Sequence, residues 1–540
     1  MSKALPSGVS RRRFLQAVGV TGGAGTMFAT MGALGLAPTA AAAPRTGSFV
    51  PPSTSDFHLS GRSKKKVVIL GGGIAGLASA YELGKAGYEC TILEARQRTG
   101  GRNTTVRGGD TWTDLNGVTQ TARYRPGHYM NAGPARLAQW MVTLDYCREL
   151  GVPIEVFTNI NADAYIYNEK SGATPGNPVR YRTAKADVFG YTSELLAKAT
   201  NTGALDAELT ADDKELLLDF LKDYGQLSSD YTYQGGSNRG FSHYPTAWDD
   251  TGTLLGDPAA LSSVFASQVG EYFSFEFEFD QAMLMFQPVG GMDQIPQALT
   301  RAIGAHKVQT NAVVSKVEDT VDGVTVTYTD GNGRARQVEA DFAIAAMPPH
   351  VFAKIEHNLG ADVQGALGKY SGFQVGKIGL EYPDRWWEKD HRIYGGITST
   401  DMDLSVIWYP SYGYHSPDGG VVIGYYHYGQ DAVKYGDMTP KDREKRAIAQ
   451  GVKIHGDDYK GVISSFSQAW HLAPHIEGGW TSPPIGTPAY ELLQQPAGPN
   501  GQHVYFAGDW LSEMVAWQHG AFWSARNTVS ALHQRVMTSH

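Results

Sequence analysis

The sequence predicts a mixed α/β fold in which one domain is built on a parallel β-sheet. Three observations support this prediction. A short, wholly apolar run at Val67–Leu70 is followed directly by a glycine-rich turn, and a helix-forming stretch at Leu77–Ala86 then leads to a second run at Glu89–Leu93. These segments form a complete β-α-β unit of about thirty residues, the unit that places two parallel strands in one sheet.

Composition sets broad limits on the class of protein. A chain of 540 residues with 42% hydrophobic and 19% charged residues can bury a large core, which excludes a mainly disordered protein. Its 64 glycines show no three-residue period, so collagen is excluded as well. Two cysteines are too few for a disulfide scaffold or a cysteine-rich zinc module, and we predict no metal site. The net charge of −8 argues against nucleic acid as a partner.

The first 43 residues have the features of an export signal. Arg11 and Arg12 form a twin-arginine pair, a weakly apolar run of glycine and alanine follows, and Ala40–Ala43 offers a small-residue cleavage site. A membrane anchor is the alternative, but so many glycines make a poor spanning helix. We therefore predict a twin-arginine signal peptide over residues 1–43, the Tat translocase as export partner, and a secreted, periplasmic or cell-wall location. Residues 44–63 are predicted to be a flexible lead-in.

The glycine-rich turn forms a G-x-G-x-x-G loop through Gly71, Gly73 and Gly76. Gly71 permits the tight turn, Gly73 lets the backbone approach a pyrophosphate, and Gly76 lets the helix pack closely on the strand. The helix starts near Ile74 and Ala75, where free N–H groups and the positive end of the helix dipole face the phosphates. Because strand, loop, helix and second strand all fall in register, the pattern predicts a Rossmann-like dinucleotide site.

The second strand leads into Glu94, whose carboxylate is placed to accept the hydroxyls of an adenosine ribose. Residues 94–102 read E-A-R-Q-R-T-G-G-R, and this glycine pair with its arginines offers donors for two phosphates. The run resembles the E-A-x-x-R-x-G-G-R segment of the flavin-containing amine oxidoreductases. The resemblance implies that the dinucleotide is FAD. The residues implied to hold it here are Glu94, Ala95, Arg96, Gly101 and Arg102.

Three later features complete the predicted FAD site. Gly508 and Asp509 end a buried strand near the C-terminus, and such an acid suits the ribityl hydroxyls of the flavin. A helix that opens at Trp517 would direct its N–H groups at the flavin ring, where negative charge grows on reduction. Val314, on an alternating strand predicted over residues 308–317, would offer a backbone contact to adenine.

Other segments resemble the L-amino acid oxidases within this family. Residues 131–137 read N-A-G-P-A-R-L and resemble the segment whose arginine grips the α-carboxylate of the substrate, which implies that role for Arg136. The same resemblance places Gly133, Pro134, Ala135 and Arg136 beside the cofactor. A planar guanidinium suits a carboxylate because it donates two parallel hydrogen bonds. A surface arginine or an arginine on the flavin pyrophosphate is the alternative.

The second half of the chain carries the rest of the resemblance. Lys377 falls where these oxidases have a lysine that holds a water near flavin N5 and assists the oxygen chemistry, and Trp408 lies in an aromatic-rich pocket. Tyr425 ends a strand that resembles the one presenting a tyrosine hydroxyl to the carboxylate. Ala516 and Trp517 match a Gly-Trp pair, so the Ala516 carbonyl would accept from the substrate amine and Trp517 would form one wall. Lys377 and Trp517 are the predicted catalytic residues.

The resemblance implies an FAD-dependent L-amino acid oxidase. Such an enzyme uses molecular oxygen and converts an L-amino acid to a 2-oxo acid, ammonia and hydrogen peroxide, here with an aromatic or basic side chain favoured. His519 is a candidate base near the flavin. Three alternatives stay open: an amine oxidase acting on monoamines or polyamines, an amino-acid 2-monooxygenase that forms an amide, and a flavoprotein without turnover. The resemblance is compatible with a homo-oligomer.

The predicted domains follow from these assignments. An FAD-binding domain is assembled from separated segments, a mixed-sheet domain binds the substrate, and a helical domain lies between them in sequence. The FAD-binding domain comprises residues 64–125, 286–370 and 495–540. The substrate-binding domain comprises residues 126–175 and 371–494, and the helical domain comprises residues 176–285.

Overall fold

The computed structural model describes residues 50, 52–169, 176–481 and 485–538, so the predicted signal peptide lies outside the described residues. The described chain has a mixed α/β fold, as predicted. It divides into two compact units: a smaller one from Tyr165 to Ser274, and a larger one that joins Pro51–Ala164 to Phe275–His540. Within the described ranges, no helix combines the length and the apolar character needed to span a membrane.

A five-stranded parallel sheet lies at the centre of the larger unit. In the Lys66–Leu70 strand the four residues after Lys66 are buried, which is why those four are all apolar. The strands come from three separated parts of the chain. Their order across the sheet is Val308–Gln309, Glu89–Leu93, Lys66–Leu70, Phe342–Ala345 and Val504–Phe506. All neighbours pair in parallel, so their carboxyl ends meet along one edge, where open α/β sheets bind ligands.

Two helices pack together against this sheet. The Ile74–Lys85 helix follows the glycine loop and buries Leu77 and Leu83 completely. The Gln518–Thr538 helix buries Phe522 against the same core cluster. The other helices of this unit are Val142–Glu149, Gln294–Ile303, Pro349–Phe352, Ala361–Leu367, Trp386–Lys389, Gly429–Gly436, Pro440–His455 and Pro488–Leu493.

The chain leaves the parallel sheet within residues 308–317, which the sequence predicts as one strand. The structure breaks this stretch into Val308–Gln309 and Val313–Thr320. Asn311 has a φ of 53°, a left-handed conformation that ends the first strand. The second piece joins a four-stranded sheet instead. Its order is Ala335–Ala340, Gly323–Thr329, Val313–Thr320 and Glu356–His357.

An antiparallel sheet forms the other large layer of this unit. Five of its strands, in order, are Ser464–Ala469, Val375–Tyr382, Gly420–Tyr428, Val406–Trp408 and Ile397–Thr400. The pairing register shifts once: Ile378 faces Tyr425 while Gly379 faces Ile423, so Gly424 is an extra residue in its strand. Such a bulge moves the following side chains to the opposite faces of the sheet.

Shorter pairs and turns complete the larger unit. Its two-stranded pairs are Thr105–Arg107 with Tyr129–Asn131, Thr111–Thr113 with Thr119–Thr121, and Ile154–Thr158 with Leu284–Pro288. The 3₁₀ helices described along the whole chain are Thr54–Asp56, Ser237–Arg239, Val269–Glu276, Ala305–Lys307, Gly456–Lys460, Trp470–Leu472 and Asp509–Leu511.

Helices make up most of the regular secondary structure of the smaller unit. Its helices are Tyr181–Asn201, Ala211–Tyr224 and Leu261–Ala266. Its strand pairs are Tyr165–Tyr167 with Val179–Arg180, and Phe241–His243 with Thr253–Leu254. A buried carboxylate, Asp187, joins its segments by accepting hydrogen bonds from Arg239 Nε at 2.6 Å and the Tyr233 hydroxyl at 2.8 Å. The domain boundaries drawn from the sequence remain predictions.

The described part of the predicted lead-in, residues 52–63, is docked rather than loose, which corrects the expectation of a flexible segment. The Ser53 carbonyl accepts from Arg526 Nη2 at 3.0 Å, and the Ser60 carbonyl lies 2.8 Å from His533 Nε2. Phe57 packs against the Arg526 guanidinium, 5.2 Å from its ring. Its polar composition suggested flexibility, but the contacts that hold the segment lie almost 500 residues away in sequence.

Candidate active site

A cavity of about 350 Å³ opens at the carboxyl edge of the parallel sheet. Its lining runs from the glycine loop to the antiparallel sheet, where Lys377 and Tyr426 face it. The predicted cofactor residues that line it are Gly71, Gly73, Ile74, Ala75, Glu94, Ala95, Arg96, Gly101, Arg102, Gly133, Pro134, Val314, Gly508, Asp509, Ala516 and Trp517. Gly76, Ala135 and Arg136 lie outside this lining. The structure thus brings together residues more than 400 positions apart in sequence.

The three glycines of the loop differ in their surroundings. A Cβ on Gly73 would meet nothing within 4 Å, and Gly73 caps the helix without a side chain. A Cβ on Gly76 would lie 2.0 Å from the Gly71 carbonyl oxygen, so Gly76 serves close packing rather than ligand contact. Gly71 has a φ of 109°, which favours glycine. The helix terminus therefore reaches the cavity as a bare set of backbone donors, the arrangement that suits phosphate.

An acid and an arginine lie where the ribose is expected. The Glu94 carboxylate accepts from the backbone N–H of Gly72 at 2.7 Å and from that of Arg96 at 2.9 Å. Burial raises the pKa of Glu94, and the hydrogen bonds oppose that shift. Burial lowers the pKa of Arg96 to about 10. Its guanidinium lies 4.4 Å from the ring of Trp112 and donates to the Gly101 carbonyl at 2.8 Å.

Arg102 and Asp509 connect the two ends of the chain across the cavity. The Arg102 guanidinium is ion-paired with the Asp509 carboxylate and also donates to the Gly479 carbonyl at 2.9 Å. The second oxygen of Asp509 accepts from the backbone N–H of Ala516 at 2.9 Å. This network holds the loop before the Gln518–Thr538 helix against the phosphate-binding segment.

The donor set fits FAD. Backbone N–H groups at Gly73 and cationic side chains at Arg96 and Arg102 suit a pyrophosphate. Within the described part of the chain, Gln518 Oε1 and Trp510 Nε1 are buried polar atoms with no hydrogen-bond partner, and both residues line the cavity. A bound polar molecule would satisfy such groups.

Lys377 forms part of the far end of the cavity. It is 2% exposed, and its ammonium donates to the Gly133 carbonyl. Its Nζ lies 4.3 Å from the ring of Tyr426 and 4.7 Å from that of Trp408. Burial and, to a smaller extent, the nearby positive charge of Arg136 lower the pKa of Lys377 to about 7. A lysine in this setting can hold or release a proton at neutral pH.

Arg136 lies behind this end of the cavity and is half-buried. Its guanidinium donates to the Asn159 side-chain oxygen and lies 4.9 Å from the Trp408 ring, the same ring that Lys377 contacts. Burial lowers the pKa of Arg136, while electrostatic interactions with Tyr428, Tyr426, Asp280 and Glu278 act in the opposite direction. Arg136 and Lys377 thus share an aromatic neighbour at one end of the site.

The assignment of Tyr425 is corrected by the structure. Its ring stacks on His427 at 4.3 Å and packs edge-on against Tyr435 at 4.8 Å, away from the cavity. Tyr426 lines the cavity instead and packs edge-on against Trp408 at 5.1 Å. The Gly424 bulge explains the exchange, because one extra residue reverses which faces the following side chains occupy.

The other predicted substrate residues divide into two groups. Ala516 and Trp517 line the cavity, and the indole N–H of Trp517 donates to Asp280 at 3.2 Å. Trp408 is 6% exposed and supports the Lys377 side chain without belonging to the lining. His519 does not line the cavity either: its Nδ1 accepts from the backbone N–H of Val142 at 3.0 Å, and burial lowers the pKa of the ring to about 4. It is a structural residue rather than a base.

Sequence reasoning missed two parts of the lining. One is the stretch from Trp470 to Thr481, and the other is the turn after Ala346, with His350 and Lys354. Neither carries a motif with a chemical meaning of its own, although the glycine pair in residues 478–480 was a signal of close backbone approach. Their place in the site follows from the packing of distant segments.

Comparison with known proteins agrees with this geometry. The profile of the family described as flavin containing amine oxidoreductase matches residues 74–533. The chain is 27% identical over 469 residues to the L-amino-acid oxidase of Gloydius blomhoffii, a match that covers 84% of this chain and 86% of that protein.

Solved structures of amine oxidases share the fold. Cyclohexylamine oxidase from Brevibacterium oxydans IH-35A is similar with a TM-score of 0.57 at 19% identity, covering 88% of this chain and 100% of that one. A putrescine oxidase is similar with a TM-score of 0.55 at 19% identity, with the same coverage. With the family profile, the cavity and its donor set identify FAD as the cofactor and the protein as an FAD-dependent oxidoreductase. The chain belongs to the flavin-containing amine oxidoreductase family.

Proposed function

We propose that the protein is an L-amino acid oxidase, with an aromatic or basic side chain favoured. The observation that carries this proposal is that Arg136 and Lys377 both lie against the ring of Trp408 at the end of the cavity. A half-buried guanidinium whose hydrogen bond goes to a neutral amide, at Asn159, retains donors for an incoming carboxylate. A simple amine would make no use of those donors.

The residues of this chain have distinct roles in the proposed reaction. Arg136 and Tyr426 hold the substrate carboxylate, and the Ala516 carbonyl accepts a hydrogen bond from the amine. These contacts fix the orientation of Cα. The entropy cost of positioning the substrate is therefore met when it binds and does not add to the barrier of the reaction. Trp517 covers one side and excludes water. Lys377 Nζ, with its pKa near 7, would hold or move a proton for the oxygen reaction. FAD, when bound, accepts two electrons from the substrate and passes them to oxygen.

Peroxide release tests the proposal directly. The purified yellow protein is supplied with L-amino acids, their D-isomers and the corresponding decarboxylated amines. We expect peroxide and a 2-oxo acid from L-isomers only. The decarboxylated amines lack the carboxylate for Arg136, and a D-isomer bound through its carboxylate and amine would direct its Cα–H bond away from the flavin. Arg136→Ala should lower kcat/KM by some orders of magnitude, whereas Arg334→Ala, at an exposed arginine, is the control. Turnover of the amines alone would refute the proposal.

Two alternatives make different predictions for the same assay. An amine oxidase is favoured by one observation, that Arg136 lies outside the cavity lining, and it predicts oxidation of amines that Arg136→Ala leaves unchanged. An amino-acid 2-monooxygenase predicts an amide one carbon shorter than the substrate, which mass spectrometry separates from a 2-oxo acid.

The proposed site of action is outside the cytoplasm. The twin-arginine pair and the Ala40–Ala43 segment support export through the Tat translocase, a route that accepts folded proteins with their cofactor bound. Fractionation of the producing cells, with an Arg11→Lys and Arg12→Lys double variant as comparison, tests this. Peroxide-forming activity should move from the exported fraction to the cytoplasm.

A further inference from the structure

Residues 275–281 form a wall beside Arg136 and Trp517, outside the cavity lining itself, and their sequence carries no recognisable motif. The Phe275 ring lies 5.8 Å from the Arg136 guanidinium. The Phe279 carbonyl accepts from the indole N–H of Trp140 at 2.5 Å. The next residue, Asp280, accepts from the indole N–H of Trp517 at 3.2 Å. One short stretch of chain therefore contacts both Arg136 and Trp517, which lines the cavity.

This wall supplies two acids that interact with Arg136. Arg136 and Lys377 place two basic side chains at this end of the cavity. Asp280 and Glu278 are both half-buried, and both carboxylates interact electrostatically with Arg136. The hydrogen bond of Arg136 goes to Asn159 rather than to either acid. The two acids therefore balance the charge of Arg136 at a distance.

Substrate binding changes that balance. In the proposed function, the substrate carboxylate approaches Arg136 and neutralises it. Asp280 and Glu278 then lose part of their opposing charge, and a half-buried carboxylate without an opposing charge is unfavourable. A positive charge on the substrate side chain would restore the balance. A neutral or acidic side chain would leave it unrestored.

We propose that Asp280 selects L-amino acids with a cationic side chain, of the lysine or arginine type. This inference rests on the proposed function. One carboxylate oxygen, Oδ2, is held by Trp517, which leaves Oδ1 to accept from an ammonium or guanidinium group. The indole of Trp517 adds an aromatic face, and tryptophan is the aromatic side chain that attracts cations best. Asp280 thus both orients Trp517 and binds the end of the side chain.

The test compares substrates that differ only in side-chain charge. L-arginine is compared with L-citrulline, its uncharged analogue of almost the same shape, and L-phenylalanine serves as an aromatic reference. kcat/KM is measured by peroxide release on the FAD-loaded wild type and on Asp280→Asn, Asp280→Glu and Asp457→Asn. Asp457 makes the matched control because it is 85% exposed and undergoes the same chemical change.

We expect the wild type to prefer L-arginine over L-citrulline. Asp280→Asn should lower kcat/KM for L-arginine roughly 10- to 100-fold, the effect of losing a hydrogen bond to a charged group. It should change the values for L-citrulline and L-phenylalanine less than threefold. Asp280→Glu should keep most of the preference because it keeps the charge, and Asp457→Asn should match the wild type.

Two results would overturn the proposal. One is a wild type that oxidises L-citrulline as well as L-arginine, a result that needs no variant and so holds even if Asp280→Asn fails to retain FAD. The other is an equal loss on all three substrates in Asp280→Asn, which would make Asp280 a support for Trp517 alone.

Failure of the proposed function is visible separately. If only decarboxylated amines are oxidised, the same ratio is measured with agmatine against phenethylamine. A preference for agmatine that Asp280→Asn abolishes would keep the role of Asp280 while the amino acid oxidase is rejected. Equal turnover of the two amines would reject both.

Discussion

Tyr425 and Tyr426 are neighbours in the chain and lie on opposite faces of the Gly420–Tyr428 strand. Tyr425 packs against His427 and Tyr435. Tyr426 lines the cavity beside Lys377, whose Nζ lies 4.3 Å from the Tyr426 ring. Burial raises the pKa of Tyr426, so its hydroxyl remains protonated at neutral pH and can donate to a carboxylate.

Two matched substitutions separate these tyrosines. Tyr426→Phe removes only the cavity hydroxyl, so we expect kcat/KM for the preferred L-amino acid to fall roughly 10-fold or more. Tyr425→Phe should stay within about twofold of the wild type, since its ring packing is kept. Steady-state peroxide assays on both variants measure this. A larger loss in Tyr425→Phe than in Tyr426→Phe would contradict the placement.

Lys377 should give the oxygen reaction a pH dependence. With a pKa of about 7, its Nζ is positively charged below pH 7 and neutral above it. A positive charge favours the negative charge that develops on oxygen, so the rate of flavin reoxidation should fall as the pH rises through 7. Lys377→Met should reoxidise slowly without that inflection. Stopped-flow traces with Lys441→Met, an exposed lysine, provide the comparison.

The role of Lys377 would be wrong under one clear outcome. If Lys377→Met slows reduction by substrate and reoxidation by oxygen to the same extent, the lysine acts on binding or structure and not on the oxygen step.

The docked segment before the first strand is a stabilising element of the larger unit. Ser53, Phe57 and Ser60 contact the Gln518–Thr538 helix, and Arg526 under them is only 1% exposed. Removing this cover would leave a buried guanidinium short of a hydrogen bond, which is costly.

Two truncated chains measure that contribution. A chain that starts at residue 62 should have a Tm lower than the wild type by roughly 5 °C or more. A chain that starts at residue 52 keeps all three contacts and should unfold at the wild-type temperature. Calorimetry on the FAD-loaded proteins compares them. Equal Tm values for the two chains would show that the segment adds no stability.

Cofactor binding ties together the whole larger unit. The cavity is lined by residues from the glycine loop near Gly73, the turn at Val314, the strand with Lys377 and the loop at Asp509. A ligand that contacts all of these binds the folded state and not the unfolded one, so it must raise the free energy of unfolding.

Removal of FAD should therefore lower the Tm of the protein. An FAD concentration of 100 times the dissociation constant raises the free energy of unfolding by about 2.7 kcal/mol. Adding FAD back should restore the Tm, whereas FMN should restore less because it lacks the adenosine half that Glu94 and Val314 would contact. Differential scanning fluorimetry follows both additions. An apoprotein as stable as the holoprotein would contradict this dependence.

The FAD-binding half of the site could be predicted from the sequence because its signal is local. Gly71, Gly73 and Gly76 fall at fixed spacing after a buried strand, and Glu94 follows the next strand. A positive φ favours glycine at Gly71, close packing requires it at Gly76, and the approach of a ligand explains it at Gly73, so a short run of residues carries the information. The structure places most of these residues in one cavity.

The substrate half depended on tertiary structure because its signal is not local. The bulge at Gly424 decides that Tyr426 rather than Tyr425 reaches the cavity, and one extra residue leaves no reliable mark in an apolar strand. Asp280 reaches Trp517 from 237 residues away. Local chemistry in the sequence determined the family and the cofactor. Long-range packing decided which side chains line the cavity, because the neighbours of a side chain are set by the folded chain and not by the order of the sequence.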